Sequence, residues 1–311
     1  MNCSLIAIFR VFLTANLHRM ALQFPESELI LHKDGSVYHL GLRPEELANT
    51  IITVGDPARV NSVSKHFDEI SVIKQHREFI THTGRIGNLP ISVVSTGIGT
   101  DNIDIVLNEL DALLNIDFET RMTKSKLTSA RIIRIGTTGS LREDLPVDSI
   151  VKSAFAIGLD NLLHFYQRES TAKIDMLLKE FKAAVPKLPV MPYYSEADPE
   201  LLENIGPEWR KGITLTCPGF YAPQGRILRY EATVDDILGQ AGKWNYHDLE
   251  ATNFEMETAG IYGLASLLGH KALSVSAVVA NRIKQEFSKN AAKVVNDLIT
   301  NVLDQISRIS T

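Results

Sequence analysis

Cysteine and excess positive charge are both scarce in this chain. Only Cys3 and Cys217 occur among 311 residues, which provides neither a disulfide framework nor the paired spacing of a metal site. We therefore expect a reducing compartment, the cytoplasm. The formal net charge of -5 does not favour a nucleic-acid groove, so an anionic ligand must be met by locally placed arginines.

Apolar runs long enough to cross a bilayer are also lacking. The nearest, in residues 2–20, is interrupted by Arg10 and lacks the basic start and small-residue cleavage site of a secretory signal. A signal sequence is the less favoured alternative. We interpret residues 1–20 as an N-terminal extension, disordered or preceding a true start at Met20. We then expect residues 21–311 to form a single domain, and we expect no membrane partner.

Three short apolar runs each end in a glycine turn: "TIITVGDPARV", "PISVVSTGIGTDN" and "ARIIRIGTTGS". Between the second and third, apolar residues recur at helical spacing in "NIDIVLNELDALLNIDF". Further inner strands are predicted in "DSIVKSAFAI" and "ALSVSAVVAN", and an outer amphipathic helix near the C-terminus. This rhythm predicts an α/β fold with a mixed, largely parallel central sheet flanked by helices.

The glycine turns match no nucleotide fingerprint, because no G-x-x-x-x-G-K-[ST] occurs and "GIGTDN" breaks G-x-G-x-x-G. Turn amides at strand ends still suit an anion, and ligands gather at that edge of an α/β sheet. Arg59 and Arg134 accompany two of the turns, with hydroxyls at Thr137 and Thr138. One alternative is that Arg134 pairs with an internal carboxylate instead of a ligand.

Two carboxylates flank one methionine in "NFEMETAGIYG", residues 253–263. Thr252 and Glu255 have the T-x-x-E spacing of a helix capping box, so the segment predicts a helix directly after Asn253. Whether Glu257 also binds a ligand stays open from these residues alone.

Two further segments carry polar groups of interest. In "QHREF", Arg77 adjoins Glu78, a pattern typical of a surface ion pair. In "CPGFYAPQGR", the aromatic Phe220 stands near Gln224 and Arg226, which together suit a flat heterocycle with carbonyl and N–H edges.

Taken in order, "VYHLGL", "GDPARV", "HREF", "STGIG", "RIGTTGS", "FYAPQGR", "NFEMETAG" and "VVANR" resemble the hexameric-type nucleoside phosphorylases, most closely the branch that cleaves uridine. The resemblance covers residues 36–311. It implies a sheet that is partly barrel-like. It also implies phosphorolysis of uridine, or a related pyrimidine nucleoside, to free base and ribose 1-phosphate in nucleoside salvage.

The resemblance implies roles for particular residues. Inorganic phosphate is bound by Gly55, Arg59, Arg134, Thr137 and, from a neighbouring subunit, Arg77. Ribose is bound by Glu255, Met256, Glu257 and a partner's His39. The base is bound by Thr138, Gly139, Phe220, Gln224, Arg226 and Arg282. Catalysis falls to Arg134, Glu257, Gln224 and Arg226, and Glu78 holds a monovalent cation, K+, at the subunit interface.

The implied enzyme needs no organic cofactor, takes phosphate as co-substrate, and has a homodimer as its smallest unit within a hexamer built as a trimer of dimers. Asn281 stands where the purine-cleaving branch has an aspartate, whereas "EMETAGIYG" and "KALSV" resemble that branch. A purine nucleoside phosphorylase or a nucleosidase of the same fold therefore stays as an alternative. A non-catalytic nucleoside-binding protein is a further one.

Overall fold

The computed structural model describes residues 23–309, without the side chain of Ile309. The N-terminal extension expected at residues 1–20 lies outside the described residues. Within 23–309, no helix has both the length and the apolar character that crossing a membrane requires.

The chain alternates strands with helices along most of its length. The strands are β1 Thr50–Val54, β2 Glu69–His76, β3 Phe79–Ile86, β4 Leu89–Ser95, β5 Ile116–Asp117, β6 Met122–Thr123, β7 Arg131–Ser140, β8 Ile150–Gly158, β9 Tyr193–Glu196, β10 Arg210–Thr216, β11 Asn245–Tyr246, β12 Leu249–Glu255, β13 Lys271–Asn281 and β14 Glu286–Phe287. The α-helices are α1 Ala58–Ser64, α2 Thr100–Asn115, α3 Ala172–Ala184, α4 Pro199–Asn204, α5 Ile237–Gly242, α6 Thr258–Leu268 and α7 Ala291–Ile309. Short 3-10 turns occupy Pro44–Glu46, Leu162–Phe165 and Ala222–Gln224.

Twelve strands form one sheet, in the order β11-β12-β10-β8-β13-β7-β1-β4-β3-β2, with β9 beside β8 and β14 beside β13. The inner neighbours β4, β1, β7 and β13 run parallel, whereas β2 and β3 are antiparallel at one end. An additional antiparallel pairing joins β12 to β7 and closes five strands into a ring. The mixed, partly barrel-like sheet predicted above is therefore confirmed.

Helix α2 follows the apolar period seen in the sequence. Ile103, Val106, Leu107 and Leu110 are all fully buried on the face turned to the core. Helix α6 is buried on nearly every side, because it packs between α2 and the strands β8 and β13. The C-terminal α7 packs with one face on β13 and β7, as its amphipathic pattern predicts.

The helix predicted after Asn253 is present as α6, but its predicted start directly after Asn253 was wrong. Strand β12 continues to Glu255, and α6 begins only at Thr258. Asn253 lies opposite Ser140 of β7, so the strand is needed to close the ring. Thr252 lies within this strand, six residues before α6, so its hydroxyl does not cap the helix and instead donates to the Asn253 side chain (2.7 Å).

The polar segment 119–129 lies at the surface and contains β6, which pairs with β5 in a separate two-stranded ladder. Arg121 holds the first described residues there. Its Nε donates to the carbonyl of Phe24 (2.8 Å) and its Nη2 to that of Pro25 (3.1 Å). This segment therefore anchors the start of the described chain beside the β5–β6 ladder.

Candidate active site

The carboxylate of Glu255 closes the junction between β12 and α6. It accepts hydrogen bonds from the backbone N–H groups of Glu257 and Thr258 (both 2.9 Å) and from the hydroxyl of Thr216 (2.6 Å). Acceptance from the first free N–H groups of a helix is a capping role. The predicted capping by Glu255 is thus present, but through its own side chain and without Thr252.

Arg134, in the inner strand β7, is buried against this junction. Its Nη2 contacts the Glu257 carboxylate closely and lies 3.2 Å from Glu255. Its Nη1 lies 3.3 Å from the hydroxyl of Ser276 on β13. The pairing of Arg134 with an internal carboxylate, which the sequence left as an alternative, is therefore what the structure contains.

The charges in this cluster shift one another's protonation. Burial raises the pKa of Glu257; Arg134 opposes that shift and Glu255 adds to it. Burial acts to lower the pKa of Arg134, but the two carboxylates outweigh it and raise that pKa. Burial, and then repulsion by Arg134, lower the pKa of Arg59. The positive charges of Arg59 and Arg134 are thus close enough to repel each other.

Two of the predicted glycine turns, after β1 and β4, meet beside this cluster, because these strands are neighbours in the sheet. The third predicted turn was wrong: "GTTGS", residues 136–140, continues β7, because it pairs with β13 and, at Gly139 and Ser140, with β12. Gly55 lies so near the turn after β4 that an added Cβ would be 3.3 Å from the Gly97 carbonyl. The N–H of Gly99 donates to Glu257 (2.9 Å). Arg59, from α1, donates to the carbonyl of Ile135 on β7 (3.3 Å).

A second polar group forms where the loop after β10 meets the ends of β7 and β13. The Nη1 of Arg226 donates to the Phe220 carbonyl and to the Gln224 side chain (both 2.7 Å), and its guanidinium lies 3.6 Å from the Phe220 ring centre. Arg282 donates to the Gln224 carbonyl (2.9 Å). An added Cβ at Gly139 would lie 3.2 Å from Arg282. Burial, and then Arg282, lower the pKa of Arg226 to about 10.

The two threonines of "GTTGS" differ in their surroundings. Thr138 donates to the Phe254 carbonyl (2.6 Å) and accepts from the Asn253 side chain (2.8 Å), so its hydroxyl can only accept from a ligand. Thr137 is half-buried, and its hydroxyl has no hydrogen-bond partner within residues 23–309. Met256 lies half-buried between β12 and α6.

His39 and Arg77 lie together but apart from this cluster. His39 bonds to Glu109, nine residues along α2 from Thr100, which is about 14 Å of helix. The guanidinium of Arg77 lies 5.0 Å from the ring centre of Tyr38. The structure thus brings these two predicted residues together, but at a distance from Glu257.

The surface ion pair between Arg77 and Glu78 was not found in the described part of the chain. Arg77 has φ of 52° in the turn between β2 and β3, and its guanidinium lies against the Tyr38 ring instead. Glu78 is exposed. Between residues 23 and 309 no group of three His, Cys, Asp or Glu side chains is arranged to hold a metal ion.

The side-chain amide of Asn281 forms all of its hydrogen bonds with backbone groups. Its amide donates to the carbonyls of Arg142 (2.9 Å) and Leu145 (3.1 Å), and its oxygen accepts from the N–H groups of Ile283 (3.1 Å) and Lys284 (2.8 Å). All its hydrogen-bonding groups therefore stabilise the loops beside Arg282. An amide so engaged does not act as an acid on a ligand.

Residues 49–307 match the family model described as the phosphorylase superfamily. The chain belongs to the phosphorylase superfamily. The Thermococcus kodakarensis uridine phosphorylase is 31% identical over 283 residues, which is 88% of each chain.

A structure of a Trypanosoma brucei nucleoside phosphorylase, described as showing uridine phosphorylase activity, superposes with a TM-score of 0.81 at 30% identity. It covers 90% of this chain and 99% of that one. A DeoD-type purine nucleoside phosphorylase of Colwellia psychrerythraea is 28% identical over 243 residues, covering 77% and 85%. Membership of the superfamily is thus confirmed, as the motif order predicted.

Sequence reasoning missed several residues that support the site. Glu109 supports His39, Asn253 orients Thr138, and Thr216 supports Glu255. Asn253 lies inside the motif "NFEMETAG", so its position in the sequence could have indicated a role in the site. Glu109 and Thr216 carried none, because their contacts join segments 70 and 39 residues apart in sequence.

Proposed function

We propose that this chain is a uridine phosphorylase, which converts uridine and inorganic phosphate to uracil and ribose 1-phosphate. The observation that supports it most is the buried cluster of Arg134 with Glu255 and Glu257, placed between glycine turns and the Gln224–Arg226 pair. A superfamily relative named uridine phosphorylase, similar over 88% of its length, agrees with this choice.

Phosphate binds at the strand ends in this proposal. Arg59 and Arg134 supply positive charge, the Gly55 turn and Thr137 supply N–H and hydroxyl groups, and Arg77 reaches in from a neighbouring subunit. Repulsion by Arg134 contributes to the lowered pKa of Arg59, and a phosphate dianion between the two guanidinium groups offsets that repulsion.

Ribose lies above the phosphate. Glu257 uses two of its four lone-pair positions, for Gly99 and Arg134, so two remain for the ribose hydroxyls. Met256 lines the sugar, and a partner's His39 contacts the 5′-hydroxyl. Glu255 has three hydrogen bonds within the chain and supports the pocket from behind.

The base is held by the second polar group. The Gln224 oxygen accepts from Arg226, so its NH2 stays available to donate to a uracil carbonyl. Phe220 offers an aromatic face, and Arg282 with Gly139 forms the rim. Thr138 contributes only an acceptor.

The reaction needs no organic cofactor. An oxygen of phosphate bonds to C1′ of the ribose while the C1′–N1 bond breaks, and the bonding electron pair leaves with uracil. The sugar gains oxocarbenium character, which the negative phosphate and Glu257 stabilise. Donors from Gln224 and Arg226 stabilise the charge that moves onto the uracil carbonyl oxygens before it takes up a proton from solvent.

The assembly and its setting belong to the same proposal. His39 and Arg77 serve a neighbouring subunit, so a homodimer is the smallest active unit, and a hexamer is a trimer of such dimers. Glu78 is proposed to hold K+ at the interface. The reaction takes place in the cytoplasm, consistent with the scarcity of cysteine.

An ultraviolet time course with uridine, run with and without phosphate, tests the proposal. We expect uracil release only with phosphate. Equal release without phosphate would instead indicate a nucleosidase, and tight binding without turnover would indicate a nucleoside-binding protein.

A purine nucleoside phosphorylase is the second candidate, favoured by the similar DeoD-type relative. Inosine in the same assay decides it. We expect uridine to be preferred, because the committed amide of Asn281 supplies no acid to a purine ring. Faster phosphorolysis of inosine than of uridine would reverse the assignment.

A further inference from the structure

Glu109 of α2 gathers three donors from the segment at His39. Its carboxylate accepts hydrogen bonds from the backbone N–H of His39, which lies 2.9 Å from Oε1 and 3.1 Å from Oε2, and from that of Leu40 (2.8 Å). It also lies 2.7 Å from Nδ1 of the His39 ring. One carboxylate thus fixes both the backbone and the imidazole of this residue.

This contact selects one tautomer of the ring. A carboxylate only accepts, so Nδ1 must carry a proton to bond it. In the neutral imidazole, Nε2 is then left as an acceptor. No residue between 23 and 309 bonds to Nε2 of His39, and the side chain is 28% exposed, so Nε2 is accessible.

Neighbouring groups hold the ring in this orientation. The His39 carbonyl accepts from Nδ1 of His76 (2.9 Å), and the Tyr38 ring meets the imidazole edge-on at 4.9 Å. His39 and Glu109 both line a groove of about 970 Å3, which gives another molecule access to the ring.

We propose that Glu109 is a positioning residue, which holds His39 so that Nε2 accepts a hydrogen bond from the 5′-hydroxyl of the nucleoside. This rests on the proposed function and on the contact proposed there for His39. Glu109 acts through His39 and does not touch the substrate. A hydroxyl needs an acceptor for its proton, and the Nδ1-protonated tautomer supplies one.

The test compares uridine with 5′-deoxyuridine in the variant Glu109→Gln. An amide keeps the side-chain shape but loses the charge and one acceptor oxygen. We expect kcat/KM for uridine to fall about tenfold, the effect of one misplaced hydrogen bond. For 5′-deoxyuridine, which lacks the hydroxyl, wild type and variant should agree within about twofold. His39→Ala should give the same pattern.

Asp111→Asn is the matched control. Asp111 lies on the same helix and faces the ring of His270 (3.2 Å), not that of His39. The substitution should leave the ratio between the two substrates unchanged. Equal losses on both substrates in Glu109→Gln would overturn the proposal and leave a purely structural role, and so would the absence of any loss.

A second readout does not depend on turnover. The 15N shifts of the His39 ring should report the Nδ1-protonated tautomer in wild type and a mixture of tautomers in Glu109→Gln. An unchanged tautomer would overturn the proposal. Wild type that leaves uridine intact would refute the proposed function, while the 15N measurement still tests the role of Glu109.

Discussion

Arg134 illustrates at the residue scale how an inner strand accommodates a charge. Its burial is offset by two carboxylates, which is the condition under which a buried guanidinium is tolerated. Gly136, two residues on, faces the same side, and an added Cβ there would lie 1.9 Å from Arg134 Nη1. In the "RIG" segment of this strand, the absence of a side chain at Gly136 therefore leaves the space that the Arg134 guanidinium occupies.

The substitution Gly136→Ala tests this arrangement. The methyl group must displace the Arg134 side chain, so we expect KM for phosphate to rise at least about tenfold, as for a lost charge-assisted contact. Steady-state kinetics at varied phosphate measure it. Ser276→Ala, which removes a 3.3 Å neighbour of the same Nη1 without adding atoms, should change KM less than about threefold. Unchanged phosphate kinetics in Gly136→Ala would contradict the role of Arg134.

Glu257→Ala should lower kcat/KM for uridine about a hundredfold, because it removes the ribose acceptor and leaves buried Arg134 with Glu255 alone. Glu257→Gln, which keeps the shape, should lie between this variant and wild type. Gln224→Ala is the contrasting control, since it should mainly relax the choice of base. Full activity in Glu257→Ala would remove the ribose role.

At the scale of elements, the seam between β8 and β13 depends on a side chain of α6. The antiparallel pairing of β8 with β13 ends at the pair Lys152 and Val275. Past that pair, the Tyr262 side chain bridges the two strands. The Tyr262 hydroxyl donates to the Ser153 carbonyl and accepts from the Ser274 N–H (both 2.8 Å). Helix α6 is thereby bound to the ring of strands at the point where they separate.

Tyr262→Phe should destabilise the fold by about 3 kcal/mol, because one buried carbonyl and one buried N–H lose their partner. Urea unfolding followed by circular dichroism measures the change. Tyr246→Phe is the control, because the half-buried Tyr246 hydroxyl has no hydrogen bond within the described chain. A change below about 0.5 kcal/mol in Tyr262→Phe would contradict the seam role.

For the whole molecule, the separation of His39 and Arg77 from Glu257 matters most. About 14 Å of α2 lies between the residue that holds His39 and the helix start beside Gly99. Residues that the resemblance assigns to one site therefore lie in two regions of one chain. A symmetric dimer can reunite them, because each subunit then completes the other's site.

Coexpression of Arg77→Ala with Glu257→Ala subunits tests this sharing. Random pairing makes half the dimers mixed, and each mixed dimer has one intact site, so about one quarter of wild-type activity should return at limiting phosphate. Each variant expressed alone should be nearly inactive. Activity no higher than the mean of the two variants would show that Arg77 and Glu257 serve the same chain.

The sequence by itself determined the inner strands, the glycine turns after β1 and β4, and the helix α2, because hydrophobic period and turn residues act locally. Motif order was enough to predict the superfamily. Only the tertiary structure decided that "NFE" is a strand, since its pairing with β7 joins segments far apart in the chain. It also decided that Arg134 bonds to Glu257 and that Glu109 holds His39. Such contacts depend on how α2, β7 and β12 pack, and no local pattern encodes that packing.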